Sequence, residues 1–95
     1  MPSAISEVSA AIRALRTSLG ESQQAFAWRM KTAIRTIARY ETRRPPKGLM
    51  LASFLHLAVA AGQPDLAGVF RKALYEEIER TYGLTPAALG DLLRS

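Results

Sequence analysis

Apolar residues along this chain return at steps of three and four, and no stretch alternates long enough to suggest a strand. Ile5, Val8, Ile12, Leu15 and Leu19 form one helical stripe, with Ser3 or Ser6 placed to cap its start and Gly20 to end it. Ser22 then suits the N-cap of a short second helix whose inward face is Ala25, Phe26, Ala27 and Met30. A third helix is expected over about 33–42. Ile34, Ile37, Ala38 and Tyr40 are among its apolar positions, and the following Arg-Arg-Pro-Pro run ends it, because the residue before a proline is pushed out of the helical region. The run from Leu49 to Ala61 is apolar almost all round, as in a helix surrounded by others, and Gly62 stops it. Pro64 and Asp65 suit the first turn of a fifth helix with Leu66, Val69, Phe70, Ala73, Leu74 and Ile78 on one stripe. Thr85 and Pro86 open a short last segment carrying Leu89, Leu92 and Leu93. The pattern predicts an all-α fold, a compact bundle of five or six helices in a single structural domain.

Composition narrows the chemistry. The 95 residues include no cysteine, which excludes disulfides and thiolate zinc sites. The one histidine, His56, has no carboxylate partners near it in sequence and reads as a core or boundary residue, so no metal or other cofactor is expected. No nucleophile–base pair or glycine-rich phosphate loop is present to suggest an enzyme. The N-terminus lacks the basic and apolar regions of a signal peptide, and the Leu49–Ala61 run falls short of the roughly 20 residues that span a bilayer. A cytoplasmic protein with no membrane partner is expected.

Charge changes the picture further. Residues 1–48 carry nine Lys and Arg against three acids, whereas residues 49–95 carry four against five. Seven of the thirteen cations lie between Arg29 and Lys47, with Glu41 as the only acid among them. Such asymmetry suggests a half that faces a polyanion and a half that packs or pairs.

The second and third helices together span only about twenty residues. Helices that short, joined by a few residues, must cross steeply, which is the geometry of a helix-turn-helix. The stretch SQQAFAWRMKTAIRTIARYETRRPP resembles the helix-turn-helix of the Cro/phage-repressor (XRE-type) family in its Ser22-Gln23, its Ala27 four residues on, and its Tyr40-Glu41 pair. With its flanks, the resemblance covers about Ala10 to Ala61. It implies a lambda-repressor-like DNA-binding core over residues 1–62, with residues 63–95 as a C-terminal helical extension that completes the core or dimerises. Two departures stand out: Lys31 occupies the turn position that is usually glycine, and Ala33 replaces a small polar cap, so Thr32 is expected to cap the third helix instead.

By the same resemblance, the third helix is the recognition helix. Ile34, Arg35, Ala38 and Arg39 are placed to contact bases, either arginine by a bidentate pair to guanine and either apolar residue against a thymine methyl. Gln23, Lys31, Thr36, Arg43, Arg44 and Lys47 are placed to contact the DNA backbone. Glu41 is expected to pair with an arginine and fix the helix end. Trp28, on the outer side of the second helix, is expected to pack over the joint with the first or the C-terminal helices; the alternative is that it rests against the DNA sugar-phosphate. Val69, Phe70, Leu74, Ile78, Leu89, Leu92 and Leu93 are expected to contribute to a homodimer; the alternative is that the last helix folds back to complete the core. The expected function is sequence-specific binding of double-stranded DNA, at a palindromic operator, by a homodimeric transcriptional repressor. The alternative is an antitoxin that autoregulates through the same domain and binds a toxin protein through its C-terminal surface.

Overall fold

The computed structural model describes residues 6–85, 87–88 and 90–91. Within them lie five helices and no strand: α1 (Glu7–Ser18), α2 (Gln23–Arg29), α3 (Ile34–Thr42), α4 (Gly48–Ala60) and α5 (Pro64–Tyr82). Beyond α5, the Thr85 Oγ1 accepts the Ala88 N–H at 3.1 Å, the cap expected for a short last turn. Leu89, Leu92 and Leu93 lie outside the described residues. No described helix is long and apolar enough to cross a membrane.

One core unites all five helices. Ile12 and Leu15 of α1, Phe26 and Ala27 of α2, Ile37 of α3, Phe54 and Ala58 of α4, and Ala67 and Phe70 of α5 are buried together. Phe54 is its hub, with its ring centroid 5.9 Å from Phe26, 5.9 Å from Phe70 and 6.0 Å from Tyr40. Aromatic contacts at such spacings add to the burial of three large side chains, which is the main reason the helices hold together. Phe70 therefore belongs to the core and not to a surface available for dimerisation. Val69 and Leu74 also pack against the core, and Ile78 is half-buried.

α4 is less enclosed than its sequence suggests. Leu49, Ser53, His56 and Ala60 follow one another at helical spacing on an exposed edge, so His56 lies in solvent and not in the core or at its boundary. An apolar run does not itself reveal on how many sides neighbours cover it.

Helix ends show how the chain turns. Gly20, Gly62 and Gly83 follow α1, α4 and α5 with φ near +70°. After α1 and α4 the backbone closes in the same way: the glycine N–H reaches back three residues and the next N–H reaches back five. α2 ends identically, with the Lys31 N–H donating to the Trp28 carbonyl (3.1 Å) and the Thr32 N–H to the Ala27 carbonyl (2.9 Å). Here, however, the left-handed residue is Lys31, at φ 57°, the only non-glycine with positive φ among the described residues. The turn keeps the shape a glycine would give it, at the cost of a Cβ in a crowded conformation.

The expected cap is corrected here. The first N–H groups of α3 to bond back, those of Thr36 and Ile37, donate to the Ala33 carbonyl, so Ala33, extended at φ −81° and ψ 149°, is the N-cap instead of Thr32, and no side chain caps the helix. Replacing Lys31 with glycine should remove the steric cost and stabilise the fold by about 0.5–1 kcal/mol, net of the greater freedom glycine has when unfolded. Chemical denaturation of Lys31→Gly against the wild type measures this; a loss of stability would mean the turn tolerates Lys31 without strain.

Candidate nucleic-acid interface

α3 is held by a polar cluster on its inner side. Glu41, in its last turn, is only 2% exposed. Its carboxylate accepts from the Arg16 Nε of α1 at 2.7 Å and from Arg16 Nη2 at 3.1 Å, a bidentate pair. Arg16 also donates to the Glu21 carbonyl at 2.9 Å, and Gln23 Nε2 of α2 donates to Glu41 Oε1 at 3.2 Å. One carboxylate thus joins α1, α2 and α3, and the expectation that Glu41 fixes the helix end is met through Arg16. The hydrogen bond from Arg16 to Glu41, with their opposite charges, raises the arginine's pKa further despite the desolvation that opposes it. Gln23 engages one amide hydrogen on Glu41, which places it as a strut between α2 and α3.

Ala27 is fully buried where α2 meets α3, consistent with the small side chain a close crossing requires. Ile37 is fully buried and Tyr40 half-buried against Phe54, so these residues define the inner face of α3. The opposite face presents Arg35, Arg39 and Thr42, all exposed, while exposed Ile34 and half-buried Ala38 and Thr36 lie toward its two edges. Arg35, Ala38, Arg39, Thr42 and Arg43 line a shallow groove along that face. Arg43, Arg44 and Lys47 continue the exposed cationic surface, and Lys31 is exposed at the other end of α3.

The loop from Arg43 to Lys47 is anchored from below. Pro46 is buried, and the Gly48 N–H, at the first residue of α4, donates to both carboxylate oxygens of Glu77 on α5 at 3.0 Å each. Gly48 has φ 57°, a conformation that glycine adopts readily. Nothing in the sequence pattern pointed to Glu77, because twenty-nine positions separate the two residues.

Among the described residues the ion pairs are Arg16–Glu41 and Arg29–Glu21, the latter at 2.6 Å. Arg29 is therefore neutralised by Glu21, while Lys31, Arg35, Arg39, Arg43, Arg44 and Lys47 have no carboxylate partner there. The cluster read from the sequence loses Arg29 and keeps the other six cations as an uncompensated positive surface. Trp28, expected to pack, is instead 74% exposed on the outer side of α2. The helical stripe placed it away from the inner face, but a stripe does not say whether a neighbour lies beyond it. Comparison with protein-family models, curated protein sequences and solved structures finds no match for the chain.

Two outcomes follow from the polar contacts. Glu41→Ala strands Arg16, whose side chain is 14% exposed, without its carboxylate and should cost about 3 kcal/mol of folding stability; a denaturation midpoint equal to the wild type would show the pair to be idle. The hydrogen bond from Arg29, with its charge, holds the Glu21 carboxyl below its ordinary value of 4.5. A depressed folded pKa stabilises above the unfolded value and is lost as pH falls through the folded one. Glu21→Gln should therefore be less stable than the wild type at neutral pH. The two should converge as the pH falls through the lowered folded value of Glu21, read from thermal melts across a pH series.

Proposed function

We propose that the protein is a sequence-specific double-stranded DNA-binding regulator that presents α3 to the major groove and represses transcription by occupying its operator. The observation that carries this reading is the division of α3 into two faces. Its inner face is fixed by Ile37, Tyr40 and the Arg16–Glu41–Gln23 cluster, while its outer face offers Arg35 and Arg39 without carboxylate partners among the described residues. A short helix with a rigid back and a cationic front, preceded by a steep turn, is how a helix-turn-helix delivers side chains to base edges. Arg35 and Arg39 are the residues suited to bidentate contact with guanine, and Ile34 and Ala38 to thymine methyl groups. Thr36 on that helix and Lys31, Arg43, Arg44 and Lys47 on either side of it are suited to the phosphate backbone, and Gln23 braces its end.

The polar frame keeps the reading head positively charged. The one acid of the basic stretch is buried against Arg16, so its charge does not oppose the phosphates. Two copies on half-sites about 34–36 Å apart would give a palindromic operator and the affinity that a single short helix lacks.

Titrating the protein with DNA from immediately upstream of its own gene, across a salt series, tests this. Specific binding should weaken steeply with salt, the log–log slope reflecting the phosphates neutralised. Arg35→Ala and Arg39→Ala should each cost about 1–3 kcal/mol and relax sequence preference, whereas Arg44→Ala should weaken all sequences alike and make the slope shallower by about one. If both recognition-helix variants keep wild-type affinity and preference, α3 is not the reading element.

A further inference from the structure

One acid of α5 sits where charge alone argues against it. Glu77 lies on the core side of the helix, seven positions after buried Phe70, and is itself half-buried. It stands at the foot of the loop that carries Arg43, Arg44 and Lys47. A carboxylate there gives up part of its hydration and lowers the positive potential that would draw in a polyanion. No cation offsets it, since Glu77 is in no ion pair among the described residues. Both of its oxygens accept from one group, the Gly48 N–H, at 3.0 Å each.

That N–H is one of two points at which the loop backbone is held. At the near end, the Arg43 and Arg44 N–H groups donate to the Arg39 carbonyl of α3, at 2.8 and 3.0 Å. Pro45 and Pro46 have no N–H to give, and that of Lys47 has no partner among the described residues. The next N–H to be held is Gly48. Lys47, the N-cap of α4, makes no capping bond with its side chain, so Glu77 supplies from α5 the cap that the loop lacks.

Packing beneath the loop does not replace this bond. A cavity of about 140 Å³ lies there, lined among others by Val8 of α1, Pro45, Pro46, Leu51 of α4 and Ala73 of α5. Apolar surfaces with a gap between them forfeit part of their attraction and leave the loop room to shift. The hydrogen bonds to Glu77 leave the Gly48 N–H much less.

We infer that Glu77 is a positioning residue for DNA. It touches no nucleic acid, but by holding Gly48 it keeps Arg43, Arg44 and Lys47 where the phosphate backbone meets them. The inference rests on the DNA-binding reading and adds to it a determinant of affinity that lies outside the helix-turn-helix.

Charge and position predict opposite outcomes, which makes the test sharp. Removing an acid beside a basic surface tightens binding to a polyanion, whereas freeing the loop weakens it. Glu77→Gln removes the charge and keeps an accepting oxygen at the same reach; Glu77→Asp keeps the charge and is one methylene too short. Each full-length variant is titrated across a salt series with random-sequence duplex and with DNA from upstream of its own gene. Circular dichroism checks that it is folded. Glu77→Gln should bind at least as tightly as the wild type. Glu77→Asp should bind both DNAs about tenfold more weakly, with a shallower salt slope and an unchanged preference between them. Glu76→Gln, at the exposed neighbour, reads the effect of charge alone and should match or exceed the wild type. Arg44→Ala should cost less in the Glu77→Asp chain than in the wild type, a coupling that a general loss of stability does not produce. In the free protein, exchange of the Gly48 amide should quicken in Glu77→Asp and stay slow in Glu77→Gln. Wild-type affinity in Glu77→Asp overturns the inference, as do equal losses in the two Glu77 variants, an Arg44→Ala cost that is the same in both chains, or unchanged Gly48 exchange. A wild type that binds neither DNA retires the DNA reading as well; one that binds while Glu77→Asp is unaffected retires only the positioning role.

Discussion

A single buried carboxylate organises the meeting of three helices in this molecule. Glu41 draws a guanidinium from α1 and an amide from α2 onto the last turn of α3, and so fixes where that helix points. An ion pair of this kind is not in itself a strong source of stability, because removing two charges from water offsets much of their attraction. What it supplies is direction. An apolar contact tolerates sliding and rotation, whereas a bidentate arginine–carboxylate pair closes in one geometry. The apolar core, centred on Phe54, holds the helices together; the polar cluster decides the angle at which α3 leaves them.

The same carboxylate governs the electrostatics. In a stretch with seven cations, an exposed glutamate would draw one or two of them into surface pairs and blunt the field. Turned inward, it is matched by Arg16, which lies outside the stretch, so the outer cations stay uncompensated. Arg29 alone is lost from the cluster, paired with Glu21 at the start of α2. The positive surface is therefore narrower than a count of residues suggests, and it is centred on α3 and the loop that follows.

How much of this could be read from the sequence follows from the range of each interaction. The helices, their serine caps at Ser6 and Ser22, and the buried faces marked by Ala27 and Ile37 depend on spacings of three and four, and they are where the pattern puts them. That Glu41 would need a partner was legible from its isolation among cations; that the partner would be Arg16, twenty-five positions earlier, was not. The Thr32 cap failed because α3 starts one residue later than a Thr32 cap requires, its first backbone bonds ending on the Ala33 carbonyl. Trp28, His56 and Phe70 failed for a common reason. Periodicity states which side of a helix a residue occupies, but what lies on that side is decided by helices distant in sequence.

The loop after α3 shows how such distant contacts serve the site. Arg43, Arg44 and Lys47 can act together only if the backbone carrying them is held still, since ordering three long side chains and a free loop on binding would cost several kcal/mol of entropy. Buried Pro46 restricts the loop from within, and Glu77 grips its last turn through the Gly48 N–H. Glu77 does this from the inner side of α5, so the helix that supplies Phe70 to the core also holds the basic loop in place.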